Sequence, residues 1–324
     1  MNLRLVSIIA VMALACYAAV PIAVQAKGKG GGGGNTMNVD CSQTTRGALP
    51  TIGAAITALQ KLAPSPEDTI NVSGACHENV VIQSMDRFTL NANPGASITD
   101  PSGGNLDVIA VHDSRDVSIN NFTINGGNNG ITCSDGSLCR LTGNTIQNAV
   151  NAGIEVFVMS QAVVSGGTIQ GCSFAGIDVR EGSGAQVNGV TIANNPGNGI
   201  QVRGQSFVKT NATISNNGVG EGGVGIILLE NGHLLCGGCR ITGNGDLGVV
   251  LRRNSSARFA SYVVTGNSSG GIVLTESSSA FLDVGTVTGN GGGMDVFCDA
   301  SFTTAKGATF NIGGGTTNCV EPSE

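Results

Sequence analysis

The chain has no tryptophan, only two tyrosines, and charged side chains at just 12% of its 324 residues. An average domain carries about twice that share of charge. Its 16 lysines and arginines are outnumbered by 22 acidic residues, and no basic run follows the amino-terminal segment. Nucleic acid and anionic membranes are bound through clustered positive charge, so neither is expected as a main partner. Strong helix formers are scarce, and after residue 26 no apolar stretch is long enough to span a bilayer. What is plentiful is glycine, 51 residues of it, together with asparagine, serine, threonine and valine. That mixture predicts short strands joined by tight turns.

The amino terminus reads as a secretory signal over residues 1–26. Arg4 precedes the apolar run LVSIIAVMALACYAAV, and Val24-Gln25-Ala26 offers small residues for cleavage. A glycine-rich spacer, residues 27–37, follows and has nothing to pack. The expected location is therefore extracellular or periplasmic, where disulfides are permitted. Nine cysteines lie beyond the signal. Cys41 with Cys76 and Cys298 with Cys319 are expected to clip the two ends, with Cys133–Cys139 a third pair and Cys172 left over. Cys236-Gly237-Gly238-Cys239 has redox spacing, but no strand-then-helix context lowers a thiol pKa there. It reads as a structural pair or as two packed thiols.

A four-residue phrase repeats along the chain. G-I-x-V, or a close variant, opens at Gly130, Gly153, Gly176, Gly199, Gly225, Gly248, Gly271 and Gly293, at spacings of 23, 23, 23, 26, 23, 23 and 22. Val108-Ile109-Ala110-Val111 fits one unit earlier, and Asn79-Val80-Val81-Ile82 one before that. Apolar residues recur at fixed offsets: Ile154, Ile177 and Ile200 one after the opening, in a column that ends at Met294; Val156, Val179 and Val202 three after, ending at Val296; Ala162, Ala185 and Val208 nine after, ending at Phe302. Alternation within each run marks strands with one face inward, three strands to a unit. No unit can bury its own inward side chains, so the units must stack. Asn144, Asn148, Asn194, Asn217, Asn244, Asn267 and Asn290 fall at or near the bends, where asparagine tolerates left-handed backbone and can bond the next coil. A leucine-rich repeat has a comparable period, but its L-x-x-L-x-L-x-x-N phrase is missing and no part of a unit has helical pattern. The fold class is all-β: a parallel β-helix of about ten coils.

The repeated G-I-x-V followed by x-I-x-x-N resembles the right-handed parallel β-helix of the pectin lyase-like superfamily, over roughly residues 68–319. The entry, TINVSGACHENVVI after LPTIGAAITALQKL, resembles that group too. Ile52, Ala55, Ile56, Leu59 and Leu62 keep helical spacing. Residues 38–67 are thus expected to form an amino-terminal cap with an amphipathic helix plugging the open end of the stack, and residues 320–324 a short tail.

The variable letters then gain an address on the outer face. Position x reads Ala110, Thr132, Glu155, Asp178, Gln201, Ile227 and Val250 along successive coils; the residue after the valine reads His112, Ser134, Phe157, Arg180, Arg203, Leu229 and Arg252. Equivalent residues of successive coils lie about 4.8 Å apart. Glu155 therefore stacks on Asp178 and must be compensated by the neighbouring arginines, a shared proton or a cation. The resemblance implies Glu155 and Asp178 as Ca2+ ligands, Arg180 or Arg203 as the base that takes a sugar proton, and His112 as an alternative acceptor. Phe157 and Gln201 would contact the substrate, an acidic polysaccharide, in calcium-assisted β-elimination or epimerisation. A plainer reading of the same residues is a solvated ion-pair patch on a non-catalytic β-helix that binds polysaccharide or cell-surface glycan. Several enzyme signatures of the group are missing: the paired arginines around proline, the Asp-Asp with its His-Gly, D-F-I-F and D-P-H-E. Phe157 and Tyr262 are the candidate aromatics for a sugar, and an arginine neighbour is expected to lower both carboxyl pKa values, disfavouring hydrolysis. The chain is expected to be monomeric.

Overall fold

The computed structural model describes residues 34–62, 67–299, 304–306 and 312–319. The expected signal over residues 1–26, most of the spacer, and residues 320–324 lie outside the described residues. The rest is a right-handed parallel β-solenoid of about ten turns, built from three parallel sheets of ten, twelve and ten strands. Each coil contributes one strand to each sheet. In the coil of Gly153, for instance, Ala152–Val156 joins the first sheet, Gln161–Ser165 the second and Thr168–Gln170 the third.

Register follows the 23-residue period. Ile154 pairs with Ile177 and Ile177 with Ile200, and all three are fully buried. Burying each such side chain contributes about 2 kcal/mol. The recurrent opening glycine is explained by close approach of backbones. A Cβ on Gly176 would lie 2.7 Å from the Gly199 carbonyl oxygen and 2.4 Å from Ile192 Cγ2. Nothing larger fits between stacked coils at that corner.

Polar rows hold the corners. Asn195 Nδ2 donates to Asn217 Oδ1 at 2.8 Å, Asn217 to Asn244 at 3.0 Å, and Asn244 to Asn267 and Asn267 to Asn290 at 2.8 Å each. The row ends on Asp295, whose Oδ1 accepts from Asn290 Nδ2 at 2.9 Å. Another corner carries a serine row, in which the backbone N–H of Ser114, Ser137, Ser160 and Ser183 each donates to the hydroxyl one coil on. These bonds satisfy buried groups that would otherwise each cost about 1–3 kcal/mol.

The cap helix spans Ile52–Gln60 and buries Ile52, Ala55, Ile56 and Leu59. Thr51 caps it through its hydroxyl, 3.1 Å from Ala54 N. The Glu78 carboxylate accepts from Ile52 N at 2.7 Å and Gly53 N at 3.1 Å, tying the positive helix end to the first coil. Leu62, expected on the buried stripe, lies beyond the helix and is 37% exposed. Thr36 and Met37, expected in the spacer, begin strand Thr36–Asp40, which pairs with Asp68–Ser73 at the edge of the second sheet.

Among the described residues four disulfides form, Cys41–Cys76, Cys133–Cys139, Cys236–Cys239 and Cys298–Cys319, leaving Cys172 free and buried. One register expectation is corrected. Ile272 pairs with Val296 and Leu274 with Cys298, so the last coil is displaced by two residues, and Met294 is 39% exposed instead of stacked. The turn at Gly291-Gly292-Gly293 absorbs the extra length; Gly292 and Gly293 both have positive φ. In the second sheet Ala280 pairs with Ala305, and Phe302 lies outside the described residues.

Candidate functional site

On the outer face of the first sheet, Ala110, Thr132, Glu155, Asp178, Gln201 and Ile227 pair in unbroken register. This column is a floor. Thr132 is 2% exposed, Glu155 7%, Asp178 0% and Gln201 6%, because the residues on either side stand above them. The expected solvated patch is thereby corrected: outward from the sheet is not outward to water.

Each arginine reaches back one coil to an acid on the floor. Arg180 Nε lies 3.0 Å and Nη2 2.9 Å from Glu155 Oε1, and Nε lies 3.7 Å from Asp178 Oδ2. Its Nη1 pairs with Glu181, and its guanidinium lies 4.2 Å above the Phe157 ring. Arg203 Nη2 lies 3.0 Å from Asp178 Oδ2. Asp178 Oδ1 and Arg203 Nε are buried without a hydrogen-bond partner. Gln201, next to Asp178 in register, accepts from Asn198 Nδ2 at 3.3 Å.

Burial changes the electrostatics expected from sequence. Desolvation raises the Glu155 pKa and outweighs Arg180, with Asp178 and Asp107 adding to the rise. Desolvation likewise raises Asp178 against the pull of Arg203, Arg180 and the neighbouring Gln201 amide. The expected lowering by arginine is overturned, since removing water costs the carboxylates more than the guanidinium charges return. For Arg180, burial alone would lower the pKa, but Glu155, Glu181 and Asp178 together raise it. A guanidinium so held is a poor proton acceptor.

His112 is elsewhere. It stands two coils from Glu155 and three from Asp178, about 10 and 14 Å at the strand spacing. Its Nδ1 meets both Ser134 Oγ at 2.6 Å and Asp135 Oδ2 at 3.1 Å. A nucleophilic triad needs the two ring nitrogens to serve serine and acid separately, so this is not one. Tyr262 is 1% exposed, stacked beside Phe259 in the core, and unavailable to a sugar.

Sequence reading missed Asp107 and Asn129. Asn129 Nδ2 donates to Glu155 Oε2 at 3.0 Å and Asp107 Oδ1 at 3.1 Å, and Thr132 Oγ1 donates to Asp107 Oδ2 at 2.6 Å. Both precede their strands at a corner, where polar residues read as turn formers. Their spacing of 22 residues was the available signal.

Calcium does not fit this arrangement. It takes six to eight oxygens in its first shell. Glu155 Oε1 is held by Arg180, Glu155 Oε2 by Asn129, and Asp178 Oδ2 by Arg203, which leaves Asp178 Oδ1 as the one floor carboxylate oxygen without a partner. Among the described residues, the group of His, Cys, Asp or Glu close enough to hold a metal is Cys41, Cys76 and Glu78. Its cysteines are joined in a disulfide and Glu78 caps the helix, so it is structural.

A family model, a right-handed β-helix region, matches residues 159–310. No curated protein matches by sequence. Among solved structures, a mutant of the periplasmic alginate epimerase AlgG is 14% identical, with 78% of this chain and 75% of that one covered at a TM-score of 0.54. The A-module of mannuronan C-5 epimerase AlgE6 from Azotobacter vinelandii is 14% identical, covering 75% and 81% at 0.46. Pectate lyase Pel9A is 11% identical, covering 89% and 81% at 0.45. At such identities the likeness is one of fold.

Proposed function

We propose that the chain, a right-handed parallel β-helix whose repeats resemble those of the pectin lyase-like superfamily, is an exported glycan-binding protein whose site is the outer face of the first sheet. The observation that carries this reading is the order of burial. The Asp178 and Glu155 side chains are 1% and 9% exposed, while Arg180 and Arg203 are 23% and 37% exposed. A ligand on this face meets the guanidinium groups before the floor carboxylates, with the exposed Glu181 at the edge beside Arg180. Glu155 and Asp178 are positioning residues that hold two planar forks one coil apart, about 4.8 Å. That array suits a carboxylate-bearing polysaccharide, with Phe157 backing Arg180 and Gln201 offering an amide. Four disulfides support export, and among the described residues no helix is long and apolar enough to cross a membrane.

The test is affinity electrophoresis of the purified protein in gels containing polygalacturonate, alginate or neutral dextran. Retardation by the polyuronates and not by dextran is expected, reduced about tenfold in Arg203→Ala, a loss of about 1.4 kcal/mol. Equal mobility in all gels overturns the reading.

A second reading, metal-independent β-elimination or epimerisation of a uronate, is favoured by two atoms of one ion pair, Asp178 Oδ1 and Arg203 Nε, that are buried without partners. Under it Arg203, which makes one ion pair, is better placed as proton acceptor than Arg180, which three carboxylates hold. Unsaturated product seen by absorbance, or changed uronate composition seen by NMR, selects this reading over simple binding.

A further inference from the structure

The twelve-stranded second sheet carries, away from the site just described, a shallow depression of about 410 Å3 on its outer face. Phe207 stands at one end, 41% exposed. Phe281 stands at the other, with the Arg258 guanidinium 5.3 Å from its ring centre. Between them His233 Nδ1 meets Ser256 Oγ at 2.7 Å. Phe207, His233, Ser256 and Ser279 pair in one column, and Lys209, Leu235, Arg258 and Phe281 in the next. The two rings are therefore three coils apart, about 14 Å along the rod.

Three features narrow the occupant. The lining holds Arg258 and His233 and no carboxylate, and Lys209 borders it, in a chain whose net charge is −6. This local excess of positive charge complements an anion. The strands beneath are interior to the sheet, with their backbone groups bonded on both sides, so a peptide cannot add as a further strand. Two cationic side chains, Arg258 and Lys209, are too few to hold a nucleic acid through its phosphates at ordinary salt. Two phenyl rings three coils apart, with hydroxyl, imidazole and guanidinium donors between them, match an extended sugar chain carrying carboxylate or sulfate groups.

We propose that this face is a second glycan-binding site, taking a stretch of anionic polysaccharide laid along the rod axis from Phe207 to Phe281. It is independent of the arginine site on the first sheet. The experiment uses the full chain carrying Glu155→Leu, Arg180→Leu, Asp178→Val and Arg203→Leu, which remove each buried acid together with its arginine and so silence the first face without stranding a charge, with dextran sulfate, polygalacturonate and neutral dextran as probes in titration calorimetry. Binding to at least one polyanion and not to dextran is expected to persist in that background. Adding Phe207→Ala and Arg258→Ala together should weaken it at least tenfold, and Lys209→Ala about threefold. These side chains are exposed, and an unchanged circular dichroism spectrum confirms that the variants remain folded. The proposal is overturned if the silenced protein binds no polyanion, if it binds dextran equally well, or if the added substitutions leave Kd within twofold. It is also overturned if Phe207→Ala instead converts a dimer to a monomer in sedimentation, which would make the face a contact between copies.

Discussion

One column on the first sheet divides into two halves with the same backbone and opposite chemistry. Thr132, Glu155, Asp178 and Gln201 fill its first half, and Ile227 and Val250 continue it in unbroken register. Val250 is 1% exposed and Asp178 0%, so the two positions are equally dry. The apolar half demonstrates that the fold has no need of charge there. The ionic half keeps two buried acids and an unpaired carboxylate oxygen at a cost the architecture does not impose. Such a cost, where the apolar alternative Val250 stands three coils away, is the physical ground for proposing a site on the ionic half.

Breaking one partner of the ionic half should have the largest effect. Arg180→Ala strands Glu155 beside Asp178, and a loss of about 3–5 kcal/mol is expected in urea unfolding. Removing a core member of the same coils, Ile177→Ala, is expected to cost about 3 kcal/mol by the same measurement. Converting the ionic half to the apolar one sharpens the contrast. Asp178→Val with Arg203→Leu removes both charges, and stability is expected to stay level or rise by about 1–3 kcal/mol while binding to polygalacturonate falls about tenfold. If that double variant is instead as unstable as Arg180→Ala, the charges are structural and the argument from cost fails.

The pH dependence follows from the raised carboxyl pKa values. A carboxyl with a higher pKa folded than unfolded takes up protons on folding. Its contribution to stability is therefore full below its unfolded value, about pH 4. It is lost as pH rises through the raised folded values of Glu155 and Asp178. Unfolding free energy measured from pH 4 to 7 should thus fall more steeply in wild type than in the Asp178→Val, Arg203→Leu variant. The smallest effect is expected at an exposed corner. Arg253 pairs with Glu230 at 2.8 Å, but both side chains are more than half exposed, and Arg253→Ala should unfold indistinguishably from wild type.

Most of the architecture was legible because a solenoid writes its geometry as a period: Ile154, Ile177 and Ile200 announce one column without reference to anything else. The period misled only where glycine turns absorb extra residues, as at Met294. The site was half legible. Glu155, Asp178, Arg180 and Arg203 were adjacent in register, as their spacing requires. Their dryness was not readable, because it depends on how high neighbouring side chains stand. Asp107 and Asn129 escaped because corner residues obey no alternation. The pKa directions followed burial and so were misjudged with it.

The asparagine row has a direction. Each of its amides hands a hydrogen onward to the coil that follows, and the backbone fixes that sense at every step: the amide oxygen accepts from the preceding asparagine's N–H while the amide nitrogen also donates to a carbonyl of an earlier coil. Asp295 suits the last place in such a row: its carboxylate is held ionised by bonds from Asn290 and Thr316 that outweigh its burial, and can only receive. The donations thus run one way from Cys172, whose backbone N–H lies 2.9 Å from Asn195 Oδ1, to an acid with nothing to pass on.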